Sequence, residues 1–214
     1  MRLPPEHLER VDTPHGVVAI VDLADDHLVA TALALLPAAE RAHAQTLSLV
    51  RRRELVAGRT ALHALLGELD PNLASAPILA DDRGAPSLPA GWFGSVSHKG
   101  TRAAALVTPA GEARVGIDLE LAEAPRADIG RRILTERERR IEIDGRGTTL
   151  RFSIKEAIYK AVDPFVRRYV GFTEVELEIA EGCAHVTTEL PFAIETTWRE
   201  HAGYWLSTAR ALRR

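Results

Sequence analysis

The stretch VGIDLE, residues 115 to 120, sets two carboxylates, Asp118 and Glu120, one residue apart in an apolar run. A charge buried alone in such a run would cost several kcal/mol, roughly, before relaxation. In a strand, Val115, Ile117 and Leu119 share one face, while Gly116, Asp118 and Glu120 share the other. A rise of roughly 3.3 Å per residue places the acidic Cα atoms about 7 Å apart, a workable reach for one divalent cation. Two hard oxygen ligands suit Mg²⁺ better than zinc. The structural alternative is that both acids line the solvated face of a half-exposed strand.

A second cluster is FSIKEAIYKA, residues 152 to 161. On a helix Glu156 and Lys160 stand one turn apart on one face with Lys155 beside them, and Ile154, Ile158 and Ala161 form the opposing buried stripe. A carboxylate flanked by two ammonium groups suits a metal-bound anionic substrate. Two structural readings compete: a Glu to Lys pair one turn apart, worth a few tenths of a kcal/mol, roughly, and a capping box in which Ser153 caps and Glu156 reaches back.

A third cluster is dispersed: Arg51, Arg52, Arg53 and Arg59, then Arg83 in a Gly-Pro loop and His98 in GSVSH. Arginine forks bind phosphate oxygens bidentately, and a histidine adds a donor. By helical angle Arg52 and Arg59 nearly superpose while Arg51 lies aside, so geometry alone favours Arg52; the alternative is a solvated helix face. Ser97 beside His98 does not make a nucleophile and base, because strand neighbours point apart and no third group orients them.

These residues must be carried by elements that the pattern also suggests. His15 to Leu23 reads as a strand and Ala38 to about Leu69 as a helix closed by Pro71, with a loop over Asp81 to Pro89. Ala103 to Thr108 and Ala113 to Leu119 read as two strands of a hairpin turned by Pro-Ala-Gly-Glu. Arg131 to Glu142 reads as a charged helix, and Phe152 to Val162 as a second one ending before Pro164. Strands are expected over residues 175 to 179, 184 to 188 and about 204 to 209. This order predicts an α+β protein of two halves.

At 214 residues and 46% apolar content the chain can build a real core. A formal net charge of −3 argues against a nucleic-acid or anionic-membrane binder over the whole surface, and aromatic residues, 5% of the chain, do not interleave the arginines. Any anionic ligand must be held by local clusters. A single cysteine, Cys183, allows no internal disulfide or thiolate cage, and no cleavable leader is evident at the N-terminus, so a cytoplasmic protein is expected. No apolar run approaches the roughly 18 residues of a membrane span. Among 27 basic residues only Lys99, Lys155 and Lys160 are lysines, which singles out the two in the second cluster.

The order RRRELVAGR, RGAPSLP, GSVSH, VGIDLE and FSIKEAIYKA resembles the 4′-phosphopantetheinyl transferases of the two-lobed, surfactin-synthetase-activating type, nearest in style to the enterobactin-synthetase branch. The resemblance covers roughly residues 45 to 172. It implies transfer of the phosphopantetheine arm of coenzyme A to a serine of an apo carrier protein, with release of 3′,5′-ADP. It implies that Asp118, Glu120 and Glu156 hold Mg²⁺ against the coenzyme A diphosphate. It further implies that Arg51 and Arg59 grip the ribose 3′-phosphate, that Arg83, Ser97 and His98 contact coenzyme A, and that Lys155 reaches the diphosphate. The family pattern thus prefers Arg51 where helical angle prefers Arg52. Lys160 matches the motif in a structural or phosphate-directed role. The candidates for the base are Glu156, directly or through a bound water, and second Glu138. Many relatives carry Gly-Lys-Pro where this chain has Gly84, Ala85 and Pro86, and Arg83 can supply the missing charge.

The resemblance also implies two pseudo-symmetric lobes, 1–109 and 110–214, each a small antiparallel sheet packed on a long helix, with coenzyme A in the cleft between them. It implies a monomer whose carrier docks near Phe165, Tyr169 and Phe172, and it favours peptide or siderophore synthesis over polyketide or fatty-acid synthesis. Rival readings are a catalytically inactive coenzyme A or nucleotide binder, and a structural or interaction protein.

Overall fold

The computed structural model describes residues 5–214, and they divide into two compact units, one ending at Ala110 and the other Gly111–Arg214. In the first, β1 (Leu8–Thr13) and β2 (Gly16–Asp22) form a hairpin, and α1 (Asp26–Leu35), α2 (Ala38–Gln45) and α3 (Leu49–Leu69) follow. A two-residue ladder of β3 (Leu79–Ala80) and β4 (Pro86–Ser87) precedes β5 (Trp92–Lys99) and β6 (Arg102–Pro109). The sheet order is β1-β2-β6-β5, antiparallel throughout. Val56, Ala57, Ala61, Leu62, Leu65 and Leu66 of α3 bury against Ala19, Val21, Ala103 and Ala105 of the sheet. The apolar stripe recurs at three- and four-residue spacings, as one buried helix face requires.

The second unit runs β7 (Arg114–Leu121), the short α4 (Gly130–Ile133), α5 (Gly145–Val166), β8 (Val175–Ala180), β9 (Cys183–Thr188), β10 (Phe192–His201) and β11 (Tyr204–Arg213). Its main sheet has the antiparallel order β10-β11-β7, and β8 pairs only with β9. The core gathers Ile154, Ala157, Ile158, Ala161 and Val162 of α5 with Phe192, Trp205, Ala209 and Ala211. The α+β expectation therefore holds: each unit lays an antiparallel sheet against one long helix. Among the described residues no helix is long and apolar enough to cross a membrane.

Four local expectations are corrected. The single helix from Ala38 to Leu69 is two, because Ser48 caps α3 by accepting from Arg51 N and the intervening carbonyls are taken by an arginine described below. The hairpin of residues 103–108 and 113–119 does not form: β6 pairs with β2 and β5, β7 pairs with β11, and the turn between them joins the two units.

The charged helix over 131–142 is only α4 and one 3₁₀ turn, Glu138–Arg140. Thr135 N donates to Glu138 Oε2 and Glu138 N to Thr135 Oγ1, a reciprocal cap that starts a new turn instead of continuing the old one. The helix placed at 152–162 begins at Gly145, capped by Asp144, and runs through Pro164 in its last turn before Arg167 turns left-handed at φ 47°. So close to the end, Pro164 removes little of the helical ladder.

Candidate functional site

Strand β7 has both faces buried, with Asp118 only 3% exposed. The face shared by Gly116, Asp118 and Glu120 is turned toward α5. A Cβ built on Gly116 would lie 2.0 Å from Ala157 O and 2.8 Å from Ala161 N, so only glycine lets the helix backbone come this close. One step along the strand, Lys160 Nζ donates to Asp118 Oδ1 at 2.8 Å and to Ile117 O at 3.0 Å. Glu156, one turn before Lys160, is half-buried. Burial pushes its carboxyl above the ordinary carboxylate range; Lys160 and Arg132 oppose the rise, while the negative charges of Asp118 and Glu120 add to it. The solvated-strand alternative thus fails for Asp118. The capping-box alternative fails too, because Ser153 is buried mid-helix against Ser207 Oγ, at 3.0 Å.

Three carboxylates and an ammonium group therefore influence one another where β7 meets α5. Among the described residues no group of three or more His, Cys, Asp or Glu is gathered as a ready metal cage. The donor set still fits a hard divalent cation: it is all oxygen, and the mutual repulsion felt at Glu156 is what such a cation would relieve. In the structure Lys160 supplies positive charge to Asp118.

Lys155 and Glu138 are elsewhere. Their side chains, each 1% exposed, form an ion pair of 2.7 Å, and Glu138 also accepts from Thr135 N and Leu177 N. Burial lowers the Lys155 ammonium from its ordinary value, against the hydrogen bond and charge of Glu138. A sealed carboxylate with every neighbour a donor cannot reach a hydroxyl in a substrate, which a base must do. Glu138, expected as second candidate for the base, and Lys155, expected at the diphosphate, are here engaged with each other.

In the first unit, Arg51 has a side chain 67% exposed and donates to Glu54 Oε2 at 2.8 Å, and His98 Nδ1 lies 3.5 Å from Glu54 Oε1. Arg51, Glu54 and His98 thus form one patch across α3 and β5. Arg52 is spent differently, its guanidinium bonding the carbonyls of Ala44, Gln45 and Leu47, so it clasps the α2–α3 turn. Helical angle favours Arg52, but Arg51 is the accessible one of the two. Arg53 pairs with Asp26 at 2.7 Å, tying α1 to α3.

Arg59 is buried, with Nε donating to Ile78 O at 2.6 Å, while Glu40 accepts from Ile78 N at 2.6 Å and from His63 Nε2 at 2.8 Å. Burial lowers the Arg59 guanidinium from its ordinary value and Glu40 opposes it. The backbone of one residue, Ile78, is thus held at both its N–H and its carbonyl just before the β3–β4 loop. At that loop's tip Asp81 Oδ1 accepts from Arg83 N and Ala85 N, Gly84 takes φ +86°, and Arg83 is exposed. Ser97 is buried on β5, and His98 beside it is exposed.

Sequence reasoning missed Glu54, although it lies three residues after Arg51 on the same helix, a spacing that pairs side chains. It also missed Arg132, for which no motif speaks: its guanidinium lies 6.0 Å from the Phe172 ring centre and its charge is felt at Glu156. Of the three aromatic residues expected to receive a partner, Tyr169 is exposed, Phe165 stacks on Phe192 and Phe172 packs on Phe152.

Comparison with known proteins gives two family matches. A model of the 4′-phosphopantetheinyl transferase N-terminal domain matches residues 39–108, and one of the 4′-phosphopantetheinyl transferase superfamily matches residues 114–209. The chain is 32% identical over 184 residues to the 4′-phosphopantetheinyl transferase Svp of Streptomyces mobaraensis, covering 80% of this chain and 70% of that protein. It is 35% identical over 146 residues to the transferase Npt of Nocardia iowensis, covering 63% of each. It is 34% identical over 119 residues to enterobactin synthase component D of Salmonella typhimurium, covering 52% of this chain and 48% of that protein.

Proposed function

Because the chain belongs to the 4′-phosphopantetheinyl transferase superfamily, we propose that it moves the phosphopantetheine arm of coenzyme A onto a serine of an apo carrier protein. The observation that carries this reading is the meeting of Asp118, Glu120, Glu156 and Lys160 where β7 crosses α5. The serine oxygen forms a bond to the phosphorus on the pantetheine side, the bond from that phosphorus to the bridging oxygen breaks, and 3′,5′-ADP leaves. The serine proton goes to a base. Glu156, half-buried beside Asp118 and Lys160, is the carboxylate placed to take it, directly or through a water.

Asp118, Glu120 and Glu156 would hold Mg²⁺, which, when bound, neutralises negative charge on the diphosphate. Lys160 adds a cation at the same place, resting on Asp118 and Ile117 O. Toward the phosphates of coenzyme A, Arg51 and His98 offer an accessible pair steadied by Glu54, Arg83 stands on a stiff turn, and the buried Arg59 keeps only its outer nitrogens for a ligand. Ser97 is buried next to His98 on β5. Cys183 is a free thiol, in keeping with a reducing, cytoplasmic setting.

Incubation with coenzyme A, Mg²⁺ and a panel of apo carriers from peptide, siderophore, polyketide and fatty-acid synthesis tests the proposal. One arm should be added to at least one carrier, read as a mass increase, with siderophore and peptide carriers preferred. No increase on any carrier, with folded protein, would refute it. Within that assay Arg51→Ala is expected to raise KM for coenzyme A roughly tenfold through loss of a charge-assisted contact. Arg52→Ala should leave KM unchanged and cost about 1–2 kcal/mol of stability, because its hydrogen bonds hold a turn.

A further inference from the structure

Glu138 and Lys155 carry charge that the proposed chemistry does not use. Two charges buried so deeply gain little net stability over an apolar pair of similar volume. What the pair does is connect segments. Glu138 Oε2 takes Lys155 Nζ and Thr135 N, both at 2.7 Å; Oε1 takes Leu177 N at 2.9 Å; and Lys155 Nζ also donates to Ile133 O at 2.8 Å. The end of α4, the turn after it, β8 and α5 are thereby pinned at one point.

That point lies on a particular side of α5. At about 100° per residue, Lys160 and then Glu156 follow round the flank from the Ala157–Ala161 stripe that meets Gly116, and Lys155 lies roughly 140° from that stripe. The helix is therefore seated on β7 along one side and fastened by the ion pair on nearly the opposite side. A cylinder held at two opposed places cannot roll. The aim of Glu156, which sits between them, is set by both.

We propose that Lys155 and Glu138 are a positioning pair, which fixes the roll of α5 and so the placement of Glu156, without either residue touching substrate. This rests on the role given to Glu156 above. The double variant Lys155→Met/Glu138→Gln removes both charges and keeps an acceptor for one of the two backbone donors, Thr135 N or Leu177 N. It is expected to fold with a melting temperature lowered by no more than about 10 °C, because a neutral pair of similar volume replaces the ions while one backbone donor and Ile133 O lose a partner. Its Kd for coenzyme A without metal, by calorimetry, should stay within about twofold. Its kcat should fall on the order of 10²-fold, the effect of a reacting group displaced by about an ångström.

Wild-type kcat in the double variant would overturn the proposal. So would coenzyme A binding weakened about tenfold or more, worth about 1.4 kcal/mol, because Lys155 would then be a ligand. Should the double variant not fold, Glu138→Gln alone serves with the same outcomes, since the glutamine oxygen can still accept from Lys155 Nζ. If wild-type protein transfers nothing, the proposed activity fails, and Mn²⁺ titration by electron paramagnetic resonance decides the pair separately. Binding weakened about tenfold in the variant supports positioning, and equal binding overturns it.

Discussion

Glu156→Gln is expected to lower transfer on the order of 10³-fold, about 4 kcal/mol of transition-state stabilisation, while the metal-free protein becomes slightly more stable at neutral pH. Both effects have one origin. Glu156 is a half-buried carboxylate raised first by desolvation and then by Asp118 and Glu120, so its charge is a burden on the apo fold and an asset to the chemistry. A carboxyl whose folded pKa is raised contributes stability that is complete at low pH and lost as pH rises through that folded value. Glutamine keeps the shape without the charge, so its advantage should appear above the ordinary carboxylate range and vanish as pH falls through it. Thermal unfolding at about pH 7.5 and about pH 4.5 reads the difference. A variant less stable than wild type at the higher pH, or one retaining transfer within about tenfold, would contradict this account of the residue.

The second large effect belongs to a residue with no side chain. Gly116→Ala should destabilise the second unit by about 3 kcal/mol, the upper range for forcing a methyl group into a packed core. The added Cβ would stand 2.0 Å from Ala157 O and 2.8 Å from Ala161 N. Both are helix backbone, and neither can swing aside as a flexible side chain would. If α5 retreats to make room, Lys160 and Glu156 retreat with it from Asp118, so transfer should fall along with stability. A melting temperature within about 2 °C of wild type would show that the strand and helix are not packed so closely.

This glycine also shows how much of the site was legible beforehand. Alternation in VGIDLE correctly put Gly116, Asp118 and Glu120 on one face, and helical spacing put Ile154, Ile158 and Ala161 in the core. Neither pattern says what the acidic face packs against, and so a solvated face stayed open as the alternative. The pairing of Lys155 with Glu138 was missed for a related reason. A lysine in a motif rich in charge looks exposed, and a partner 17 residues away across a broken helix leaves no local signature.

Elsewhere the misses follow the sheet edges. Strands β1 and β10 lie at the outer edges of their sheets, where residues such as Glu9, Arg10 and Asp12, or Glu195, Arg199 and Glu200, blur the period of two. Strand β11, next to the edge and buried along much of its length, was easy to see. Helix α1 was missed because its run of Ala, Leu and Val has little amphipathic contrast.

The central claim is that a divalent cation is held by acids from β7 and α5. A crystal grown with coenzyme A and Mn²⁺, with anomalous data at the manganese edge, tests it most directly. The account predicts one anomalous peak bonded to carboxylate oxygens of Asp118 and Glu156, within roughly 2.5 Å, with Glu120 in the same coordination sphere or joined to it by water. A peak elsewhere, or none while coenzyme A is bound and Lys160 still rests on Asp118, would contradict it.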